Sequence, residues 1–161
     1  MQVQNYLNPV EFRFSIHRLP ATKFFVQSAT LPGVSTGSTE QFTPFKTIYR
    51  PGDKITFDDL TLTVAVDENL QSYLETWNWM IGLTKPENFS QYANLIEGDG
   101  VYSDATLTLL TSGKNPNIQV MFKDMFPTSL GQIQLNTTNS TIEVPTTDIT
   151  FKYSSYSIEV V

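Results

Sequence analysis

The chain contains no cysteine, which excludes disulfide frameworks, thiolate zinc sites and a cysteine nucleophile. It has one histidine, His17, so every histidine-dependent mechanism would have to pass through that residue. Charge is sparse, at 16% of residues, and the basic side chains are outnumbered: 10 Lys and Arg against 16 Asp and Glu give a net charge of -6. A surface of that sign repels phosphate backbones and disfavours nucleic-acid binding through counterion release. No window approaches the roughly 20 apolar residues a transmembrane helix needs, so membrane insertion is not expected. The opening Met1-Gln2-Val3-Gln4-Asn5-Tyr6 lacks the basic-then-apolar pattern of a secretory signal, and folding in a cytosol is expected. The eight glycines are scattered and form no phosphate-cradling loop.

What remains is a sequence that is 40% hydrophobic over 161 residues, enough for one ordinary core. A single domain over residues 1–161 is expected. Area scaling gives such a domain a folded surface of roughly 8,100 Å².

Period-two alternation dominates the pattern. Val10, Phe12, Phe14 and Ile16 alternate with polar neighbours, as in a half-buried antiparallel strand. Leu19-Pro20-Ala21-Thr22 reads as a turn, and Lys23 to Thr30 as the returning strand of an opening hairpin. Leu60, Leu62, Val64 and Val66 fall on one face of a further strand, with threonines on the other. Asp67 reads as an N-cap, opening a helix whose apolar stripe is Leu70, Tyr73, Leu74, Trp77, Met80 and Ile81. Gly82 is its expected C′ residue, and Pro86 stops its continuation. Trp79 points away from that stripe. It is either covered by the following loop or a contact for another chain.

Strands are expected at Ala105–Thr111, Ile118–Phe126, Gly131–Leu135 and Thr147–Val160. In the last run the apolar parity changes across Ser154-Ser155, from Ile149, Phe151 and Tyr153 to Tyr156, Ile158 and Val160, which predicts a β-bulge. The fold class is therefore mainly β: an antiparallel β-sandwich or barrel with one packed helix. The Gly/Ser/Thr/Pro-rich segment 31–56 is too long for an ordinary connection. Its Phe42, Phe45, Ile48 and Tyr49 need burial, either on a neighbouring subunit as an extended arm or on the same domain as an extra hairpin.

The residues offer no catalytic constellation. His17 lies on the polar face of its strand, and no G-x-S-x-G elbow accompanies it. The carboxylate groups Asp58-Asp59, Asp67-Glu68 and Glu97-Gly98-Asp99 lack calcium-loop spacing. The glycosylation-type triplets at Asn88, Asn136 and Asn139 carry little meaning without a signal peptide. No enzyme activity, cofactor or metal is expected, and a structural or binding role is.

Three stretches in this order carry a resemblance: Ala29-Thr30-Leu31-Pro32-Gly33, the run from Pro51 through Phe57-Asp58-Asp59 to Val64, and Met125-Phe126-Pro127-Thr128-Ser129-Leu130-Gly131 continuing to Leu135. The arrangement resembles the tail-tube proteins of contractile-tailed bacteriophages, and the wider fold shared with tube-initiating baseplate proteins and secretion-system tubes. The resemblance implies a virion protein of the tail, assembled in the host cytoplasm. Its subunits would form homo-hexameric rings that stack into, or initiate, a tube through which DNA passes as cargo. Sheath, baseplate and tape-measure proteins would be its partners. It makes residues 37–54 an inter-subunit loop, with Phe42, Phe45, Ile48 and Tyr49 as contact candidates. Phe57, Asp58 and Asp59 would lead into the central strand, while Phe126, Pro127, Thr128 and Gly131 would shape a turn at a ring edge. The first strand starts near residue 10, and Leu60 stands where the family often has an aromatic. A tube initiator or a neck-side paralogue therefore stands beside the repeating subunit. A second reading, a carbohydrate- or receptor-binding module on a virion, draws on Trp79, Tyr153 and Tyr156 as an aromatic platform.

Overall fold

A computed structural model describes residues 6–97, 100–138 and 143–161. The acidic pair Glu97 and Asp99 and the triplet at Asn139 lie partly or wholly outside the residues so described. The elements in chain order are β1 (Phe12–Ile16), α1 (Thr22–Phe25), β2 (Val26–Ala29), β3 (Val34–Phe42), β4 (Thr47–Phe57), β5 (Leu60–Ala65), α2 (Gln71–Thr84), α3 (Phe89–Glu97), β6 (Ser103–Leu110), β7 (Pro116–Leu130), β8 (Thr146–Lys152) and β9 (Ser155–Val160).

All the pairings are antiparallel, and the body sheet runs β1-β6-β7-β8-β5-β2 with β9 also on β7. The long strand β7 joins two layers. Its residues up to Met125 pair with β6 and β9, and those from Phe126 pair with β8. Asp124 adopts φ 54 at the changeover. A strand that changes sheets at an irregular residue is how a sandwich turns its corner. The same corner is made once more by the C-terminal run. Rather than the bulge expected at Ser154-Ser155, the strand breaks at Tyr153-Ser154, so β8 belongs to one layer and β9 to the other. The parity change in the sequence was the trace of that crossing.

The core lies between the layers. Phe14, Ile16, Leu107, Val120 and Phe122 enter it from one side and Leu60, Leu62, Val64, Ile149 and Phe151 from the other. Burying a Leu, Val, Ile or Phe side chain is worth about 1.5–3 kcal/mol, so this cluster carries the fold. The alternation read at 60–66 is realised, with each of Leu60, Leu62, Val64 and Val66 buried.

Several expectations need correction. No opening hairpin forms, because β1 pairs with β6 and β2 with β5, and part of the expected returning strand is the single turn α1. Gly131–Leu135 is not a separate strand, since β7 runs unbroken from Pro116 to Leu130 and the ladder stops there. A further helix, α3, follows α2. Gly82 lies inside α2, where a Cβ would meet Leu95 Cδ1 at 3.3 Å, so its role is close helix packing. Asp67 accepts a hydrogen bond from the Gln71 N–H at 2.9 Å, although the helix starts only at Gln71 and Leu70 holds the boundary at φ 55.

The largest reversal concerns the faces of α2. Its buried residues are Ser72, Thr76, Trp79 and Gly82, while Leu70, Leu74 and Trp77 are exposed, Trp77 at 49%. Small side chains let the helix approach the body closely. Thr76 satisfies its own hydroxyl on the Ser72 carbonyl at 3.0 Å. Trp79 is only 2% exposed. Its ring lies 6.4 Å from that of Phe151, its Nε1–H donates to the Val101 carbonyl at 3.2 Å, and the Arg18 guanidinium sits 5.3 Å over it.

Candidate assembly interface

The segment 31–56 is built as a two-stranded antiparallel ribbon, β3 on β4, forming a sheet of its own. Along β3 every residue is exposed, and β4 is only slightly less so. An alternating strand normally buries one face; this ribbon covers neither. Its tip, Thr43-Pro44-Phe45-Lys46, is closed by the Thr43 N–H on the Lys46 carbonyl at 3.1 Å and the Lys46 N–H on Thr43 Oγ1 at 3.2 Å. Phe45 is 97% and Phe42 77% exposed, with Ile48 and Tyr49 also in solvent. Register places Phe42 and Tyr49 on one face of the ribbon and Ile48 with Arg50 on the other. The four contact candidates are thus gathered on one projection, with apolar groups on both sides of it.

Midway, the register slips between Thr36 and Ser38, and the backbones of Gly37 and Gly52 come together. A Cβ on Gly52 would lie 2.7 Å from the Gly37 carbonyl oxygen, so only glycine fits the crossing.

The first two motif stretches meet at the ribbon's root. The Asp58 N–H donates to the Gly33 carbonyl at 3.0 Å, tying the chain entering β3 to the chain leaving β4. Pro32 is buried while Leu31 is exposed. Phe57 packs its ring 5.9 Å from Tyr153 and 5.4 Å from Tyr156, and both tyrosines pack on Phe122. Asp59 reaches Lys152 at 3.5 Å on the surface, a pair worth at most about 1 kcal/mol. The Tyr153 pKa is pushed up to about 12, first by burial and then by the neighbouring Tyr156, Asp58 and Asp59 charges.

The third stretch does not shape a turn. Phe126, Pro127 and Thr128 belong to β7 and face β8, with Phe126 opposite Lys152 and Pro127 opposite Phe151. Thr128 Oγ1 donates to the Thr150 carbonyl at 3.2 Å, where the ladder shifts. Gly131 follows directly, its N–H on the Asp148 carbonyl at 2.7 Å and its own carbonyl accepting from Thr147 Oγ1 at 2.9 Å. Phe126, Pro127 and Thr128 also line a mostly apolar groove of about 400 Å³ with Met80, Leu83 and Tyr102.

Two expectations fall on geometry. Trp79 is enclosed in its own domain and offers no surface to another chain. The aromatic platform fails with it, since the Tyr153 and Tyr156 hydroxyls are both engaged on backbone carbonyls of the ribbon root, at 2.7 and 3.2 Å. Those two bonds were missed in the sequence; the parity change that brings both rings to one place was the available signal. Also missed was the outward apolar face of Leu74 and Trp77, with Phe89, Tyr92 and Ile96 exposed on α3. His17 is exposed on the surface as expected. A cleft of about 530 Å³ between α2 and α3 holds Glu75, whose carboxyl burial raises in pKa, and among the described residues no second acid lines it. Among the described residues no three metal-ligating side chains are grouped.

The sandwich thus leaves a bare, apolar-tipped ribbon projecting from a braced root. The chain belongs to the phage tail tube protein family, whose model matches residues 6–159. It is 26% identical to the tail tube terminator protein of Enterobacteria phage T4, over 98% of this chain and 92% of that one. Its fold is similar to that of the tube-terminating cap of the anti-feeding prophage, with a TM-score of 0.70 at 15% identity, covering 100% of this chain and 95% of the other. The sheath/tube terminator of an extracellular contractile injection system, PVC, gives 0.65 at 17% identity over 98% and 99%.

Proposed function

We propose that this chain is a tail tube terminator, a structural subunit that assembles with copies of itself into a six-fold ring and closes the end of a tail tube. The observation that carries this reading is the end-to-end likeness to the T4 terminator, which spans nearly the whole of both chains. The exposed ribbon supports it: a projection with uncovered aromatic residues gains stability when a neighbouring subunit covers it. On this reading the ribbon contacts the next subunit, the tube and sheath proteins are partners, and DNA passes through the ring without being bound. The acidic surface suits such a passage. Of the roles left open by the sequence, this favours the neck-side one over the repeating subunit and the initiator.

The test is electron microscopy of the purified protein, alone and mixed with preassembled tail tubes. Discrete six-fold rings that do not elongate, and that decorate one end of each tube, are expected. Self-elongation into long tubes would instead identify a repeating tube subunit. A monomer that ignores tube ends would remove the assembly reading altogether.

A further inference from the structure

A two-stranded ribbon joined to a domain by two chain segments can swing about its root unless both segments are held. Here each is held by a different phenol. Tyr156 Oη–H donates to the Pro32 carbonyl at 3.2 Å, on the segment entering β3. Tyr153 Oη–H donates to the Asp58 carbonyl at 2.7 Å, on the segment leaving β4. The Asp58 N–H to Gly33 bond couples the two segments to each other. The tyrosines are themselves anchored: Tyr156 is the ladder partner of Phe122, and both rings pack on Phe122 and on Phe57 at the ribbon's foot.

We infer that Tyr153 and Tyr156 are positioning residues that lock the direction in which the ribbon leaves the body, so that it reaches a neighbouring subunit already aimed. The inference deepens the proposed function and rests on the ribbon being its assembly contact. One bond would leave a rotation axis through its own anchor; two bonds on separate segments remove it. The lever is long. At about 3.3 Å per residue a strand such as β4 spans roughly 35 Å, so a swing of about 10° at the root would move the tip by some 6 Å, more than a side-chain contact tolerates. A pre-aimed ribbon also loses less freedom on docking, which strengthens association without any added contact. The upward shift of the Tyr153 pKa keeps the donating proton in place beyond pH 10, where an ordinary phenol begins to lose it.

The absence of cysteine permits a direct test in the full chain. Spin labels are placed at Gln41→Cys near the tip and Arg13→Cys on β1, both exposed positions. Labelled protein is diluted into unlabelled protein, so that only distances within one chain are read by double electron–electron resonance. A single narrow distance distribution is expected with both tyrosines present. Tyr153→Phe and Tyr156→Phe should each broaden it, and the double variant should at least double its width, while thermal stability falls by only a few degrees because the rings and their packing remain. A double variant with the original width would overturn the proposal, and so would broadening that merely tracks melting temperature in a control such as Leu62→Ala. If the double variant does not fold, the two single variants decide the matter by the same width. The measurement does not require a ring or a tube, so failure of the terminator reading would leave it intact. Conversely, loss of tube capping with an unchanged width would sink the clamp and not the function.

Discussion

Gly33 and Gly131 both belong to the motif stretches, yet the structure separates their roles. A Cβ at Gly33 would lie 2.7 Å from Asp58 Oδ2, the free end of a side chain on the surface that can turn aside. A Cβ at Gly131 would lie 2.9 Å from the Asp148 carbonyl oxygen and 3.0 Å from its nitrogen, backbone fixed by the β5–β8 ladder. Gly131→Ala is therefore expected to cost about 1–3 kcal/mol, as overpacking does, and Gly33→Ala within about 0.5 kcal/mol; urea unfolding of the two variants checks the contrast. Tyr153 gives a pH prediction. Its folded pKa lies above the ordinary value of 10.0, at about 12, so the folded state favours the neutral phenol. That contribution is fully present below pH 10 and is lost as pH rises toward 12. Stability should fall over that window, and the fall should be shallower in Tyr153→Phe when followed by circular dichroism.

Among the elements, α2 shows where periodicity misleads. Its 3.6-residue stripe was plain in the sequence, and the helix lies where it was expected, but Leu70, Leu74 and Trp77 of the stripe face out while Tyr73, Met80 and Ile81 are only half-buried. Periodicity reports that a helix has two faces; which face the body takes depends on how closely the backbone must approach. Ser72, Thr76 and Gly82 permit that approach, and Leu70, Leu74 and Trp77 do not. The strands were more legible because period two, once one face is buried, fixes both the element and its orientation, as at Leu60, Leu62 and Val64. The sheet changes at Asp124 and Tyr153-Ser154 were half legible: parity marked the second, and nothing marked the first. Leu74→Gln with Trp77→Gln should leave the isolated domain within about 1 kcal/mol of the parent, whereas Leu62→Ala, in a side chain fully buried in the core, should cost about 2–5 kcal/mol. A guanidinium melt of each variant separates the two cases.

At the scale of the whole molecule, the chain exposes 11639 Å², well above the roughly 8,100 Å² expected of a compact protein of this mass. The ribbon contributes to that excess, since its strands pair only with each other and bury almost nothing. The long segment was legible as something unusual, its aromatics as groups in need of cover, and an extra hairpin as one of its two readings. The hairpin forms, but the sequence did not show that it would leave both of its faces in solvent. Thr, Ser, Gly and Pro give no alternation to read, and the register slips where Gly37 and Gly52 approach each other. A body that owes the ribbon little should fold without it. Gly37 and Gly52 already touch across the register slip, so deleting residues 38–51 and joining these glycines directly closes the chain with little rearrangement. The shortened protein is expected to melt within a few degrees of the parent and to stay monomeric where the parent forms rings, as read by calorimetry and by mass photometry. Unfolding on deletion would mean that the ribbon supports the core. Rings that form without it would place the subunit contact elsewhere, with the outward face of Leu74 and Trp77 the first surface to test.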